Sequence, residues 1–231
     1  MKKFALVIVM FGILFSGLKA QDCFKYFPEK KGTSLEYTNY DKKDKVTSTT
    51  IRTVVDKRTS GNVVTVDYKT ETTPVDYDTI IVQEFSINCE GGVIKIDMSN
   101  YYSGMDMGAY QGMEIEVQGD EIEFPSNPKA GQTLNDANMT IIVKNGGATF
   151  MTIETKIFNR KVEALESVST TAGNFETVKI TYDVSVKMGF INSQAKSAEW
   201  YSEKYGMIKS ESYDKKGKLE SSVKLTKIIS E

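Results

Sequence analysis

The chain contains no histidine, only two cysteines, and three closely spaced carboxylates, Asp120, Glu121 and Glu123. Without histidine there is no Ser-His-Asp or Cys-His relay and no imidazole base, and most zinc and copper sites lose their usual ligand. A carboxylate pair can hydrolyse glycosides unaided, so residues 120–123 are the acid cluster to weigh. In an extended strand Glu121 and Glu123 share one side while Ile122 and Phe124 share the other, the pattern of a solvated face over a dry one. Trp200 is the only tryptophan, which leaves few aromatic platforms for a sugar. Asp41, Asp44 and Asp106 lack the spacing and central glycine of a calcium loop. Gly91-Gly92 and Gly146-Gly147 lack the Lys-Ser/Thr that follows in a phosphate-binding loop. The expectation is a non-catalytic protein with no metal and no cofactor, a carboxylate-dependent hydrolase being the third reading.

The remaining reactive pair is Cys23 and Cys89, and its chemistry depends on address. Met1-Lys2-Lys3, the apolar run Phe4 to Phe15 and the small residues up to Ala20 have the order of a secretory signal. The run is shorter than the ~20 residues a spanning helix needs, so residues 1–20 read as a cleaved signal peptide that leaves no transmembrane anchor. Asp22 beside Cys23 fits lipid modification poorly. Export places both cysteines where disulfides persist, and the even count favours a Cys23–Cys89 bond over two buried thiols. The expected address is the periplasm or cell surface of a Gram-negative bacterium. With 29 basic and 31 acidic residues the chain has no basic excess to offer nucleic acid.

The elements that position these residues are strands. From Thr177 to Met188, Val178, Ile180, Tyr182, Val184, Val186 and Met188 alternate with Thr, Lys, Asp and Ser. That period of two marks a strand with one dry and one wet face. The alternation recurs in Val64, Val66 and Tyr68, and in Ile81, Phe85, Ile87 and Cys89 with Gln83 as the exception. It returns in Met113, Ile115 and Val117, in Met139, Ile141 and Val143, in Met151, Ile153 and Ile157, and in Leu219, Val223 and Leu225. Turn residues punctuate it at 41–44, 60–62, 145–147 and 214–217, which implies antiparallel hairpins. About ten such strands must curl to shelter their dry faces. The fold expected is all-β with minor α, a strongly curved antiparallel sheet or incompletely closed barrel with a short helical or loop flap, in one domain over 21–231; a β-sandwich is the alternative. Long strands such as 149–168 favour the curved sheet.

One stretch breaks the pattern. Residues 98–113 mix Met98, Met105, Met107 and Met113 with Tyr101, Tyr102 and Tyr110, and Gly104, Gly108 and Gly112 make a poor helix. Methionine packs adaptably against irregular apolar shapes, so the stretch reads either as a lid over the dry concave face or as a plug of the barrel end.

The C-terminal half carries a resemblance. Thr171-Ala172-Gly173-Asn174-Phe175, leading into Lys179-Ile180, resembles a small-Gly-x-Phe step into a strand. Glu199-Trp200-Tyr201 followed by Tyr205-Gly206-Met207-Ile208-Lys209-Ser210-Glu211 resembles a Trp-Tyr hairpin, and Asp22-Cys23-Phe24 with Tyr26-Phe27-Pro28 fits at the start. These motifs are similar to the TapB-like secreted proteins and a related family of bacterial envelope domains. The resemblance implies a curved β fold distantly like the lipoprotein-carrier half barrels and carries no activity. Ser202-Glu203-Lys204 departs from it where Pro or Gly is expected. Read by themselves, Trp200 and Tyr201 point to opposite faces of a strand.

The leading functional expectation is binding of an apolar or amphipathic ligand, such as a lipid, in the concave face, with Met105, Met107, Tyr110 and Trp200 as contacts. The alternative is a module that holds another envelope protein through a sheet edge or apolar patch.

Overall fold

The computed structural model describes residues 23–99 and 113–230; residues 1–20, expected to be a signal peptide, and the core of the 98–113 stretch lie outside them. A short 3-10 turn at Cys23–Tyr26 precedes β1 (Ser34–Asp41), β2 (Val46–Ser60), β3 (Val63–Pro74), β4 (Ile81–Glu90), β5 (Val93–Asp97), β6 (Glu114–Gly119) and β7 (Glu121–Pro125). Then come β8 (Ala137–Asn145), β9 (Ala148–Thr170), β10 (Gly173–Met188), β11 (Ile191–Ser202), β12 (Gly206–Asp214) and β13 (Leu219–Ser230). All thirteen form one sheet in the order β6-β8-β9-β10-β11-β12-β13-β1-β2-β3-β4-β5-β7. The curved, nearly closed barrel is therefore the architecture, and the two-sheet sandwich is not. Among the described residues no helix is long and apolar enough to cross a membrane.

The ring is closed by the chain itself. The first and last strands in the order, β6 and β7, are consecutive in sequence with only Asp120 between them. One extended segment thus pairs its first half with β8 and its second half with β5. At the change of partner, Asp120 N–H donates to Asn138 O at 2.8 Å and Met98 N–H donates to Asp120 O at 3.3 Å. The Asp120 carboxylate also accepts from Asn138 N–H and Nδ2 at 2.8 and 3.0 Å. Farther along the seam, Gly131, Gln132 and Leu134 bond through their backbones to Arg160 and Val162 of β9 at 2.7–2.9 Å, and the Arg160 side chain spans the gap. The residue is 4% exposed, and its guanidinium donates to Asn135 O at 2.6 Å and Glu123 O at 2.9 Å. Such contacts blunt edges that would otherwise offer unpaired backbone groups.

Inward and outward positions follow the period of two until Asn159, whose φ of +54° inserts a bulge into β9. Before it the odd positions Ile153 and Ile157 face in; after it the even positions Arg160 and Val162 do, both buried. A bulge reverses the parity of the positions that follow it, and a second register shift at Glu163 restores it, so Glu166 faces out.

Alternating strand direction gives the barrel two distinct ends. At the lower end the N-terminal segment folds in as a plug. Phe27 meets Phe124 at 5.2 Å and Tyr201 at 5.8 Å between ring centres, and Lys204 N–H donates to Lys25 O at 2.7 Å. Cys23 and Cys89, 66 positions apart in the chain, form a disulfide with Cα atoms 6.0 Å apart. Gly206 faces this plug; a Cβ there would lie 3.2 Å from Pro28 Cδ and 3.3 Å from Tyr26 O. Its φ of +76°, with Lys204 at +73°, supplies the reversal that Pro or Gly was expected to give at 202–204.

At the upper end, two turns are built alike. Asp41 Oδ1 accepts from the N–H groups of Lys45 and Lys43, and Asp214 Oδ1 from those of Lys218 and Lys216, all at 2.8–2.9 Å. These bonds hold both carboxyls below the usual carboxylate range. β13 pairs with β1, so the two turns are neighbours on the rim.

Two outcomes follow from the closure. Arg160→Met leaves two backbone carbonyls without their charged donor and lowers unfolding stability by about 3 kcal/mol, read as a fall in the urea midpoint. Replacing both cysteines by serine removes a cross-link whose loop length corresponds to about 4 kcal/mol in the chain-entropy model. The same denaturation, with and without reductant, measures it: reductant lowers the native protein to the level of the double variant and leaves the variant unchanged.

Candidate ligand-binding interior

Strand register sorts the inward face into rows. Leu35, Arg52, Thr70 and Gln83 stand side by side on β1 to β4. The row below holds Val54, Tyr68 and Phe85, and the row above holds Tyr37, Thr50, Thr72 and Ile81. Nearer the upper end come Asn39 and Ser48; β13 and β12 add Val223, Leu225 and Ile208 to this face, and Ser210, Ser212 and Ser197 continue it across β12 and β11. The opposite wall, from β6, β8, β9 and β10, is aliphatic. Met139, Ile141 and Val143 are buried there against Ile115, Val117, Met151, Ile153 and Val184. The upper half of the barrel therefore has one polar wall and one apolar wall.

The polar wall is only partly satisfied. Thr50 and Thr72 hydroxyls bond at 2.9 Å, and Asn39 Nδ2 donates to Thr50 Oγ1 at 3.3 Å. Tyr37 OH, Arg52 Nε and Gln83 Nε2 are buried without a hydrogen-bond partner. The Arg52 guanidinium lies 5.2 Å from the Tyr37 ring centre and 5.8 Å from that of Phe85. Burial pushes the Tyr37 phenol up, with Arg52 opposing, so it stays a neutral hydroxyl. Arg Nε–H and the Gln amide nitrogen are donors, and Tyr OH can donate. Buried donors of this kind carry a desolvation penalty until something accepts from them. On the apolar wall, Thr155 Oγ1 is likewise buried and unpartnered.

Below these walls the barrel is filled. Glu199 accepts from Tyr182 OH at 2.8 Å and Tyr201 OH at 2.7 Å. These side chains, with Arg160 and the isoleucines around them, leave a cavity of about 20 Å³, room for about one water.

Trp200 lies elsewhere. Tyr201 packs inside against Phe124, with ring centres 5.0 Å apart, so its neighbour Trp200 faces outward, as the alternation requires. It is 5% exposed, with the Lys179 and Lys209 ammonium groups 4.9 and 4.6 Å from its ring centre and its indole N–H donated to Glu166. It borders an open outer groove of about 740 Å³ shared with Tyr40, Lys209 and Lys224. Of the other expected contacts, Met105, Met107 and Tyr110 lie outside the described residues. The carboxylates at 120–123 have structural partners: Asp120 holds the seam, Glu121 is 3.4 Å from Lys95, and Glu123 accepts from Asn135 at 2.6 Å. Among the described residues no group of three His, Cys, Asp or Glu side chains could hold a metal ion.

Arg52 and Tyr37 were missed by the sequence reading. Gln83 and Thr155 left a trace, because each interrupts an otherwise apolar alternation.

Over residues 30–225 the sequence matches a family described as DUF3108-like. Two crystal structures share the fold. One is a Bacteroides fragilis protein titled as exported with a YmcC-like fold, at 21% identity and TM-score 0.71, covering 89% of this chain and 99% of that one. The other is a Parabacteroides distasonis protein titled as a lipoprotein, at 24% identity and TM-score 0.74, covering 90% and 100%. Comparison with curated proteins finds no match.

An unpartnered Thr155 in an aliphatic wall predicts that Thr155→Val, which keeps the shape and removes the hydroxyl, stabilises the ligand-free protein by about 1 kcal/mol. A differential scanning calorimetry series measures it, and a lowered midpoint would show that the hydroxyl has a partner in solution.

Proposed function

The chain belongs to the DUF3108-like family, and on that premise we infer that it is an exported, non-catalytic envelope protein that holds an amphipathic ligand in the upper half of its barrel. The observation that carries this reading is the split interior. Buried, unpartnered Arg52, Gln83 and Tyr37 stand on one wall, and Met139, Ile141 and Val143 line the other. A molecule with an acceptor-rich polar group and a hydrocarbon tail satisfies both walls at once. A wholly apolar ligand leaves the donors bare, and a wholly polar one leaves the methionines and isoleucines against water. Thirteen strands also enclose more width than the eight whose interior side chains just fill a barrel.

Export is supported by the signal-like order of residues 1–20, the Cys23–Cys89 bond, and the description of the two structural relatives as an exported protein and a lipoprotein. A carboxylate or ester headgroup suits the donors, since a guanidinium pairs strongly with carboxylate oxygens.

Native mass spectrometry of gently purified protein, followed by titration with a fluorescent fatty acid, tests the proposal. The expected result is a co-purifying amphiphile and saturable binding weakened at least ~10-fold by Arg52→Met with Gln83→Leu, the equivalent of one lost charged contact. A bare mass together with no fluorescence change would reject it. So would unaltered binding by the double variant.

A further inference from the structure

The exposed apolar side chains are distributed unevenly between the two ends. Of the twelve large hydrophobic residues exposed among the described residues, Val55, Leu165 and Ile229 lie away from the upper rim, and the other nine lie on or beside it. They come from the start of β2, with Val46, from the β3–β4 loop and the start of β4, with Tyr77, Ile80, Ile81 and Val82, from the start of β9, and from the β10–β11 turn. Phe190 at that turn is fully exposed, and Ile191 beside it is 61% exposed. A hairpin tip has no folding reason to carry a bare phenylalanine, and a cluster of such residues at one end marks a surface that meets something apolar.

The same rim carries a positive arc. The paired Asp-Lys-Lys turns of β1–β2 and β12–β13 hold six lysines against three acids between 41–45 and 214–218, in a chain whose formal net charge is −2. Lys42 pairs with Glu220, and Lys224 reaches Asp44. Asp41 and Asp214 direct a carboxylate oxygen at their own turn backbones and also feel the charges of Lys43, Lys45, Lys216 and Lys218, so the lysines outnumber the acids in these turns without being isolated from them. Asp76 and Asp78 sit on the neighbouring β3–β4 loop, whose Val75 N–H donates to Thr47 O at 2.9 Å, so the lysine excess is centred on the β1–β2 and β12–β13 turns.

Apolar tips beside an array of lysines match the two layers of an anionic membrane surface, acyl boundary and phosphate. We propose that the upper rim docks on an anionic lipid bilayer, with Phe190 and Ile191 entering the headgroup region and the lysine turns facing lipid phosphates. This surface is carried by residues distinct from those of the interior, and it stands whatever the interior holds. It also orients the barrel, since the disulfide-pinned plug then points away from the lipid.

The test is co-sedimentation of the mature chain with vesicles of equal parts phosphatidylglycerol and phosphatidylethanolamine, and with phosphatidylcholine vesicles. Binding to the anionic vesicles alone is expected, weakened by high salt because screening shortens the reach of the lysines. Phe190→Ser with Ile191→Ser, and separately Lys215→Glu with Lys216→Glu, each reduce it by about 10-fold or more. Their unchanged thermal midpoints verify folding, and Arg52→Met with Gln83→Leu leaves sedimentation intact, which separates this proposal from ligand binding. No sedimentation, equal binding to phosphatidylcholine, or binding that ignores both rim variants overturns it. A dimer in size-exclusion chromatography that Phe190→Ser abolishes overturns it in favour of a second copy, and protein partners found by crosslinking with no lipid binding do so in favour of an assembly role.

Discussion

The closure at Asp120 is the constraint on which the rest of the structure depends. A sheet of thirteen strands has two edges, and here both are halves of the same extended segment. Since β6 must lie on β8 while β7 lies on β5, the sheet has to curl through a full turn for the one residue between them to span the gap. Closure converts one face of every strand into an interior, so Val66, Ile94, Val162 and Leu225 become completely buried without a second sheet or a helix to cover them. It also removes free edges along part of the seam, and the remainder is closed by backbone bonds from residues 131–134 to β9 and by the Arg160 side chain.

Because the ring is single, neighbours in the strand order become walls of one space. Polar inward residues from β11 through β4 and aliphatic ones from β6 through β10 could each have belonged to separate small cores in another topology. Here they face each other across one barrel, which gives the interior its two-sided chemistry. Glu199 with its two tyrosine donors and Arg160 with its carbonyls satisfy the lower interior, whereas Arg52, Gln83 and Tyr37 leave polar atoms without partners above.

The two ends differ for an equally mechanical reason. The N-terminal segment enters the lower end and is fixed there by the disulfide, by Phe27 among the rings of Phe124 and Tyr201, and by the close approach to Gly206. The described part of the upper rim consists of hairpin turns and loops, and it carries both the bare aromatic tips and the lysine turns.

Much of this was legible in the residues. The alternation over 177–188 specifies a strand, the Asp-Lys-Lys turns specify hairpins, and the opposed orientation of Trp200 and Tyr201 needs only the period of two, because neighbouring side chains on a strand cannot share a face. The interruptions at Gln83 and Thr155 were visible too, though nothing local said that they were buried. What the tertiary structure decided is which strands are neighbours, since pairing between Tyr37 and Leu225, far apart in the chain, is set by closure and leaves no mark in either segment. It decided also that Arg160 faces in, through a bulge at Asn159 that reverses the parity of β9, and that Arg52 stands beside Gln83. Local periodicity fixes the side of a strand on which a residue lies; only the closed ring turns that side into a shared interior with a composition of its own.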